Sequence, residues 1–399
     1  MAGLVARVLV LSVLGLLATS EGNDEKDELV ATALLFRHGD RGPLESFPND
    51  KYFDKKYWPK GFGQMLNVGK LRAYELGKYI RHRYRTFLAN EYKFEEIHVI
   101  SSDVDRAIMT AESMLAGLYP PPKEDIWFEH LLWEPIPVHT IPYEYDSFIN
   151  MKAKCPHYDA LYGKVTQMVF QELRERYQDI FSTIIENTGW EDIDVDSIKT
   201  IVGTMYVYSM HNASYIPEWY NKMNHKHLKH LAGVAFAVPT YTKEIQRLTS
   251  GTFYNYLVNY LDGVIQGERP KFLVISGHDT TVASVLNTID CYDYEPPEFT
   301  AMVFWEVYKA KDGTYRLDLL YKKNSTSDAE PIRIDNCKTS FTYDEFKATV
   351  APILINVDQW KHECSATGRA TAAVAGSTGT RQFSFLIMSA VVLFLNNFA

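Results

Sequence analysis

The chain is poor in cysteine and carries no excess of positive charge, and both shortages narrow what it does. Only four cysteines stand in 399 residues, and none forms a CxxC pair, so their spacing does not ask for zinc. Lys and Arg number 41 against 50 Asp and Glu, a net charge of −9. No general basic face is therefore on offer to a nucleic-acid backbone, and no nucleic-acid partner is expected. A local cationic pocket for one small anion stays compatible with that balance. No internal repeat at solenoid periods shows. With 46% hydrophobic and 23% charged residues, the chain is neither disordered nor fibrous, and its length suits one large domain or two smaller ones.

Long apolar runs occur only near the two ends. Residues 1–20 read as a signal peptide: Met1 to Arg7, an apolar run from Val8 to Ala18, then small residues up to Ser20 and an acidic stretch. That run is short for a membrane span. At the other end, residues 365–382 are small and polar, and Phe383 to Ala399 is apolar with no Lys or Arg behind it. A single-pass anchor needs about 20 apolar residues and a basic cytoplasmic flank. The pattern fits a GPI-addition signal instead; a retained membrane segment and an unstructured tail are the alternatives. The attachment site is open between 365–368 and 373–377.

An exported chain is expected in the secretory pathway, at the cell surface or outside it, with a lysosomal destination also compatible. Cys155, Cys291, Cys337 and Cys364 then favour disulfides, for which three pairings are open. Asn212-Ala213-Ser214 and Asn324-Ser325-Thr326 are glycosylation sequons.

Between the ends, Leu29 to Phe36 (LVATALLF) is a nearly continuous apolar run and predicts a buried strand ending in Arg37-His38-Gly39. A long helix is expected from Gln64 to Leu88, with Leu66, Leu71, Tyr74, Leu76 and Ile80 on its apolar face. Glu96 to Ser101 predicts a strand running into Ser102-Asp103-Val104-Asp105-Arg106 and a helix to about Leu118. Lys271 to Ser276 predicts another, followed by Gly277-His278-Asp279 and a helix to about Asn287. Met302 to Tyr308 and Tyr315 to Tyr321 are further strands. Residues 150–235 read as mainly helical, interrupted near Thr188-Gly189 and at Pro217.

This alternation predicts an α/β fold: an open, mostly parallel sheet flanked by helices, with a mainly helical inserted cap. The expected division is 29–149 and 236–364 for the two parts of the α/β domain, 150–235 for the cap, and 365–399 for linker and tail.

Three apolar strands thus each end in a small charged cluster. In open parallel sheets the active crevice lies outside the carboxyl ends of the strands, so the clusters can meet there. Singly, each is weak, and Arg106 alone would be an ordinary salt-bridging residue. Together they supply three guanidiniums (Arg37, Arg41, Arg106), two imidazoles (His38, His278) and one carboxyl (Asp279). Guanidiniums match phosphate oxygens with forked donors and stay charged. A histidine among them can act as nucleophile or acid/base. Gly39 is expected to let a ligand approach the backbone. His225, His227 and His230 lack a carboxylate pattern and stand among lysines, so a solvated face explains them better than metal.

Arg37-His38-Gly39-Asp40-Arg41-Gly42-Pro43 matches the R-H-G-x-R-x-P pattern of the histidine acid phosphatases in full, and Ser276 to Thr281 (SGHDTT) matches their second signature. Similarity continues at Trp58-Pro59, Gly61, Gly63-Gln64, Gly69, Ser101 to Arg106, Ile216 to Trp219, Arg247-Leu248 and Gly251. The chain from about Leu29 to Cys364 resembles this family, branch 2 of the histidine phosphatases, and most its animal prostatic, lysosomal and testicular type.

The resemblance implies an acid phosphatase acting on small-molecule or protein phosphomonoesters. It implies His38 as nucleophile, forming a phosphohistidine, and Asp279 as proton donor. Arg37, Arg41, Arg106 and His278 would bind the phosphoryl oxygens. No cofactor or metal is implied, and a homodimer is suggested by family likeness. An acid optimum is expected, because Asp279 must be protonated to donate.

The resemblance also implies a Cys155–Cys364 bridge, leaving Cys291 with Cys337, although relatives carry six cysteines. Leu66 stands where relatives often have Thr, which leaves the start of the long helix in doubt. The alternatives within enzymes are a mutase-like member, against which the His278-Asp279 pair speaks, and a phytase-like one, against which the acidic balance speaks mildly. A non-catalytic secreted or surface binding protein is the alternative outside them.

Overall fold

A computed structural model describes residues 27–365; the expected signal peptide and C-terminal tail lie outside the described residues. The strands are β1 (Glu28–Arg37), β2 (Ile97–Ser102), β3 (His139–Ile141) and β4 (Phe272–Gly277), then β5 (Met302–Lys309), β6 (Tyr315–Lys322), β7 (Glu330–Pro331) and β8 (Ser340–Thr342). They form one mixed sheet in the order β3-β2-β4-β1-β5-β6-β7, with β8 paired to β6. Ladders β3-β2-β4-β1 are parallel, and those from β1 through β5 and β6 are antiparallel.

Two long helices, α1 (Asn67–Arg83) and α2 (Asp105–Leu118), cover one sheet face. Five follow in the expected cap region: α3 (Pro156–Arg176), α4 (Gln178–Thr188), α5 (Val195–His211), α6 (Glu218–Asn221) and α7 (His225–Ala237). The remainder are α8 (Lys243–Thr249), α9 (Gly251–Ile265), α10 (Asp279–Thr288), α11 (Tyr343–Val350) and α12 (Val357–Ser365).

β1 shows why its sequence is apolar without alternation: both faces are covered. Leu34 and Phe36 face the α1/α2 side with Leu76, Ile80 and Met114. Ala31, Ala33 and Leu35 face the α9/α10 side with Phe253, Leu257 and Val282. The cap-region helices gather around a separate apolar cluster that includes Phe181, Ile184, Ile201, Met205 and Leu231. Their breaks fall at Gly189 and Pro217, as the sequence leads one to expect.

α1 departs from expectation. It starts at Asn67, after an isolated bridge pairs Met65 with Arg41, and Leu66 at its N-cap makes no side-chain capping bond. Leu71 and Tyr74 are exposed, and the buried face is Gly69, Ala73, Leu76, Gly77 and Ile80. The cause is a close helix crossing. A Cβ on Gly77 would stand 1.9 Å from the Met114 carbonyl oxygen, and one on Gly117 2.0 Å from that of Tyr74. Glycines make this interface, and a scan for large apolar residues passes over them.

The cysteines form Cys155–Cys364 and Cys291–Cys337. No described helix is long and apolar enough to cross a membrane.

Candidate active site

The strand registers bring the three clusters together. Arg37 pairs with Gly277 across β1 and β4, and Ser101 with Ser276 across β2 and β4. The parallel strands therefore end level, and the residues that follow them share one rim. His38 N–H donates to the Gly277 carbonyl at 3.0 Å, and the His38 and His278 rings lie 5.6 Å apart, edge to face. Arg106 opens α2, whose neighbouring Ala107 carbonyl accepts Ser276 Oγ at 2.8 Å. All six predicted residues thus stand at the ends of β1, β2 and β4.

The loop after β1 is held backbone to backbone. A Cβ on Gly39 would stand 2.6 Å from the Gly69 carbonyl oxygen and 2.8 Å from Met65 Cε, and one on Gly69 2.4 Å from the Asp40 carbonyl oxygen. Gly39 is small because α1 packs on it, and this corrects the expectation that a ligand uses that space. Leu66 N–H donates to the Asp40 carbonyl (2.9 Å), and Gly39 N–H to Thr110 Oγ1 (2.9 Å). The Asp40 carboxylate, almost wholly buried, pairs with Arg72 Nη1 at 2.8 Å.

His38 is 1% exposed. Its Nδ1 lies 2.9 Å from the Gly39 carbonyl; a carbonyl only accepts, so Nδ1 carries the hydrogen and Nε2 keeps a lone pair. Burial, then the charges of Arg106, Arg37, His278 and Arg41, hold its pKa well below the ordinary value. The imidazole is thus neutral and its free nitrogen nucleophilic even in acid.

Arg37 is spread over three partners. Nη1 donates to the Pro297 carbonyl at 2.5 Å, Nη2 pairs with Asp279 Oδ2 at 2.8 Å, and the guanidinium carbon lies 4.1 Å from the centre of the Phe299 ring. Arg41 Nη1 donates to the Gly42 carbonyl at 3.0 Å. The Nε atoms of Arg37, Arg41 and Arg106 are all buried, and none has an acceptor among the described residues. Buried donors of this kind call for a partner, and three cationic ones at one rim suit an anion. Burial and the Arg37 charge pull Arg41 down to about 9, which leaves it charged throughout the acid range.

His278 is 4% exposed, with Nε2 2.8 Å from Ser102 Oγ. Burial and Arg106, opposed by Asp279, push its pKa down to about 3. At Asp279, burial favours the neutral acid, but Arg37, Arg41 and His278 outweigh it and hold the carboxyl at about 2. The expected proton donor is therefore an ionised partner of Arg37 in the ligand-free site.

Ser102, part of the second cluster but given no role from sequence, and Thr110 and Phe299, which were not singled out, complete the arrangement. Ser102 and Thr110 sit within or just after the quoted Ser101 to Arg106 stretch, where polar residues beside a strand end are the available signal. Phe299 carries none, since it reaches the site from a loop 20 residues beyond Asp279. His225 and His227 pack their rings against Tyr220 and Tyr177. No cluster of three metal-ligating residues occurs among the described residues.

Residues 28–321 match the family model for the histidine phosphatase superfamily (branch 2). The chain belongs to that superfamily. Within it, this histidine phosphatase is 33% identical to prostatic acid phosphatase of Bos taurus, over 90% of this chain and 93% of the relative. It is 29% identical to lysosomal acid phosphatase of Homo sapiens, over 90% and 87%. Among solved structures it is similar to a phytase from Citrobacter braakii, with TM-score 0.62 and 17% identity over 85% of this chain and 100% of that one. A Hafnia alvei phytase in complex with tartrate gives 0.63 and 15% over 83% and 98%. At those identities the structural likeness speaks for the fold alone.

Proposed function

We propose that this histidine phosphatase is an acid phosphatase that hydrolyses phosphomonoesters in two steps through a phosphohistidine on His38. The observation that carries this reading is the set of three buried arginine Nε–H donors without an acceptor among the described residues, arranged beside a neutral His38 whose Nδ1 is already engaged. His38 Nε2 attacks phosphorus and the bond to the leaving oxygen breaks. Arg37, Arg41, Arg106 and His278 hold the phosphoryl oxygens, where electrostatic stabilisation provides most of the catalysis. Asp279 gives its proton to the leaving alkoxide, then takes one from the water that displaces His38.

An Asp279 held at about 2 has to gain its proton on binding. A phosphoryl anion offsets the field of the three arginines and competes for Arg37, so the carboxyl pKa rises as the site fills. Protonation is thereby coupled to substrate, and acid pH favours it.

The same reading places the chain in the secretory pathway, which two disulfides and the acid phosphatase relatives support. Residues 150–235 act as the cap over the leaving group, with Pro43 to Lys60 completing the wall. The sequons at Asn212 and Asn324 carry glycans, and Asn212 is exposed just after α5. The C-terminal tail is a GPI signal, and family likeness suggests a homodimer. Release of protein from intact cells by a phosphatidylinositol-specific phospholipase is expected; continued attachment counts against the anchor.

The purified protein should hydrolyse a simple aryl phosphate below neutral pH without added metal, and His38→Ala should abolish turnover. Full activity in that variant would sink the nucleophile assignment, and an inactive native protein would favour a binding role.

A further inference from the structure

Phe299 is 1% exposed and lies against two candidate site residues and a tyrosine of the cap region. Its ring centre is 4.1 Å from the Arg37 guanidinium, 5.8 Å from the His38 ring and 5.4 Å from the ring of Tyr206, on which it stacks at 28°. Tyr206 belongs to α5, so the ring joins the cap region to the phosphate-binding arginine.

The backbone around Phe299 grips the same place. The Pro297 carbonyl accepts Arg37 Nη1, the Ala301 carbonyl accepts Arg37 N–H at 2.9 Å, and Thr300 N–H points to the His38 carbonyl at 3.4 Å. Thr300 does this with φ +62°, a left-handed conformation that a β-branched residue adopts only under constraint. Strained backbone of this sort is held by its surroundings, and here the surroundings are the nucleophile strand end.

We propose that Phe299 is a positioning residue for Arg37, resting on the phosphatase reading given above. The negative face of the ring attracts the guanidinium and sets its plane. Nη1 and Nη2 then serve Pro297 and Asp279, and Nε is left for a phosphoryl oxygen. Through the Tyr206 stack, the position of α5 is transmitted to that plane. An aliphatic side chain of similar volume fills the space but cannot orient a cation.

Steady-state kinetics on the full chain test this, with wild-type turnover of an aryl phosphate first securing the phosphatase reading. Phe299→Leu should lower kcat about tenfold while KM stays within about twofold, because a desolvated cation–π contact of this kind is lost. The loss should appear with aryl as well as alkyl phosphates, since Arg37 acts on the phosphoryl group, and any difference between the two reads the Arg37–Asp279 pair. Phe299→Tyr, which keeps the ring face, should restore most of kcat. Wild-type kcat in Phe299→Leu, or an equal loss in Phe299→Tyr, would overturn the proposal, and so would a loss confined to alkyl phosphates. Should Phe299→Leu fail to fold, Tyr206→Leu reads the same stack from a part-exposed position. A kcat loss of about threefold at constant KM supports the proposal, and wild-type kinetics refutes it.

Discussion

His38 is prepared by its neighbours rather than by its own chemistry. One ring nitrogen is spent on the next residue's carbonyl, and burial among cations keeps the other unprotonated. Asp279 is the complementary case, a carboxyl held charged beside Arg37 that, on the function proposed above, has to become an acid when substrate binds. Two results follow at this scale. Asp279→Ala should lose more activity with alkyl phosphates than with aryl phosphates of good leaving group, where protonation matters less; general-acid assistance is worth roughly 10²- to 10⁴-fold. The alkaline limb of kcat should report the Asp279 pKa in the complex, well above its ligand-free value of about 2, and should vanish in Asp279→Asn. Equal losses across leaving groups would remove Asp279 from the acid's role. Residues such as these were legible because each sits in a short, chemically loaded motif. Phe299 was not, because a lone aromatic in a loop looks like any core residue until its contact with Arg37 is seen.

At the scale of elements, level strand ends make one site out of three sequence-distant clusters. The apolar runs of β1, β2 and β4 announced the strands, and the pairing of Arg37 with Gly277 turned proximity in the sheet into contact at the rim. In α1 periodicity found Leu76 and Ile80 but misplaced the rest of the inner face, which is Gly69, Ala73 and Gly77, while Leu71 and Tyr74 are exposed. That same helix carries Arg72 to the buried Asp40. Arg72→Leu leaves an uncompensated carboxylate beneath the nucleophile loop, with a cost of about 2 kcal/mol once partial exposure of Arg72 is allowed for. Urea unfolding should show that loss, and Asp40→Asn in the same chain should recover part of it. No recovery would mean that the pair is not what joins loop and helix.

For the whole molecule, the site that serves acid chemistry also makes the ligand-free protein acid-sensitive. His278 titrates at about 3 in the fold against an ordinary value of 6.5, and His38 shifts in the same direction. Between those values the unfolded chain binds protons that the folded one refuses, so stability falls as pH drops through that window. Asp279, at about 2 against 3.8, adds a loss between roughly pH 4 and 2. Thermal melts should therefore show a falling Tm from pH 7 to pH 4. Excess inorganic phosphate should flatten the fall, because a ligand bound only by the folded state stabilises it. A Tm independent of pH would refute the buried neutral histidines.

The Cys155–Cys364 bridge spans a sequence separation of 209 residues and ties the start of α3 to α12. Seen mechanically, it is a short circuit. For a pull applied before β1 and after α12, the covalent path runs through β1 to Cys155 and crosses the sulfurs to Cys364. Residues 156–363, with α10 and Asp279 among them, form a loop outside that covalent path. Stretching the chain by its ends would leave that loop, α10 included, covalently closed for as long as the bridge is oxidised.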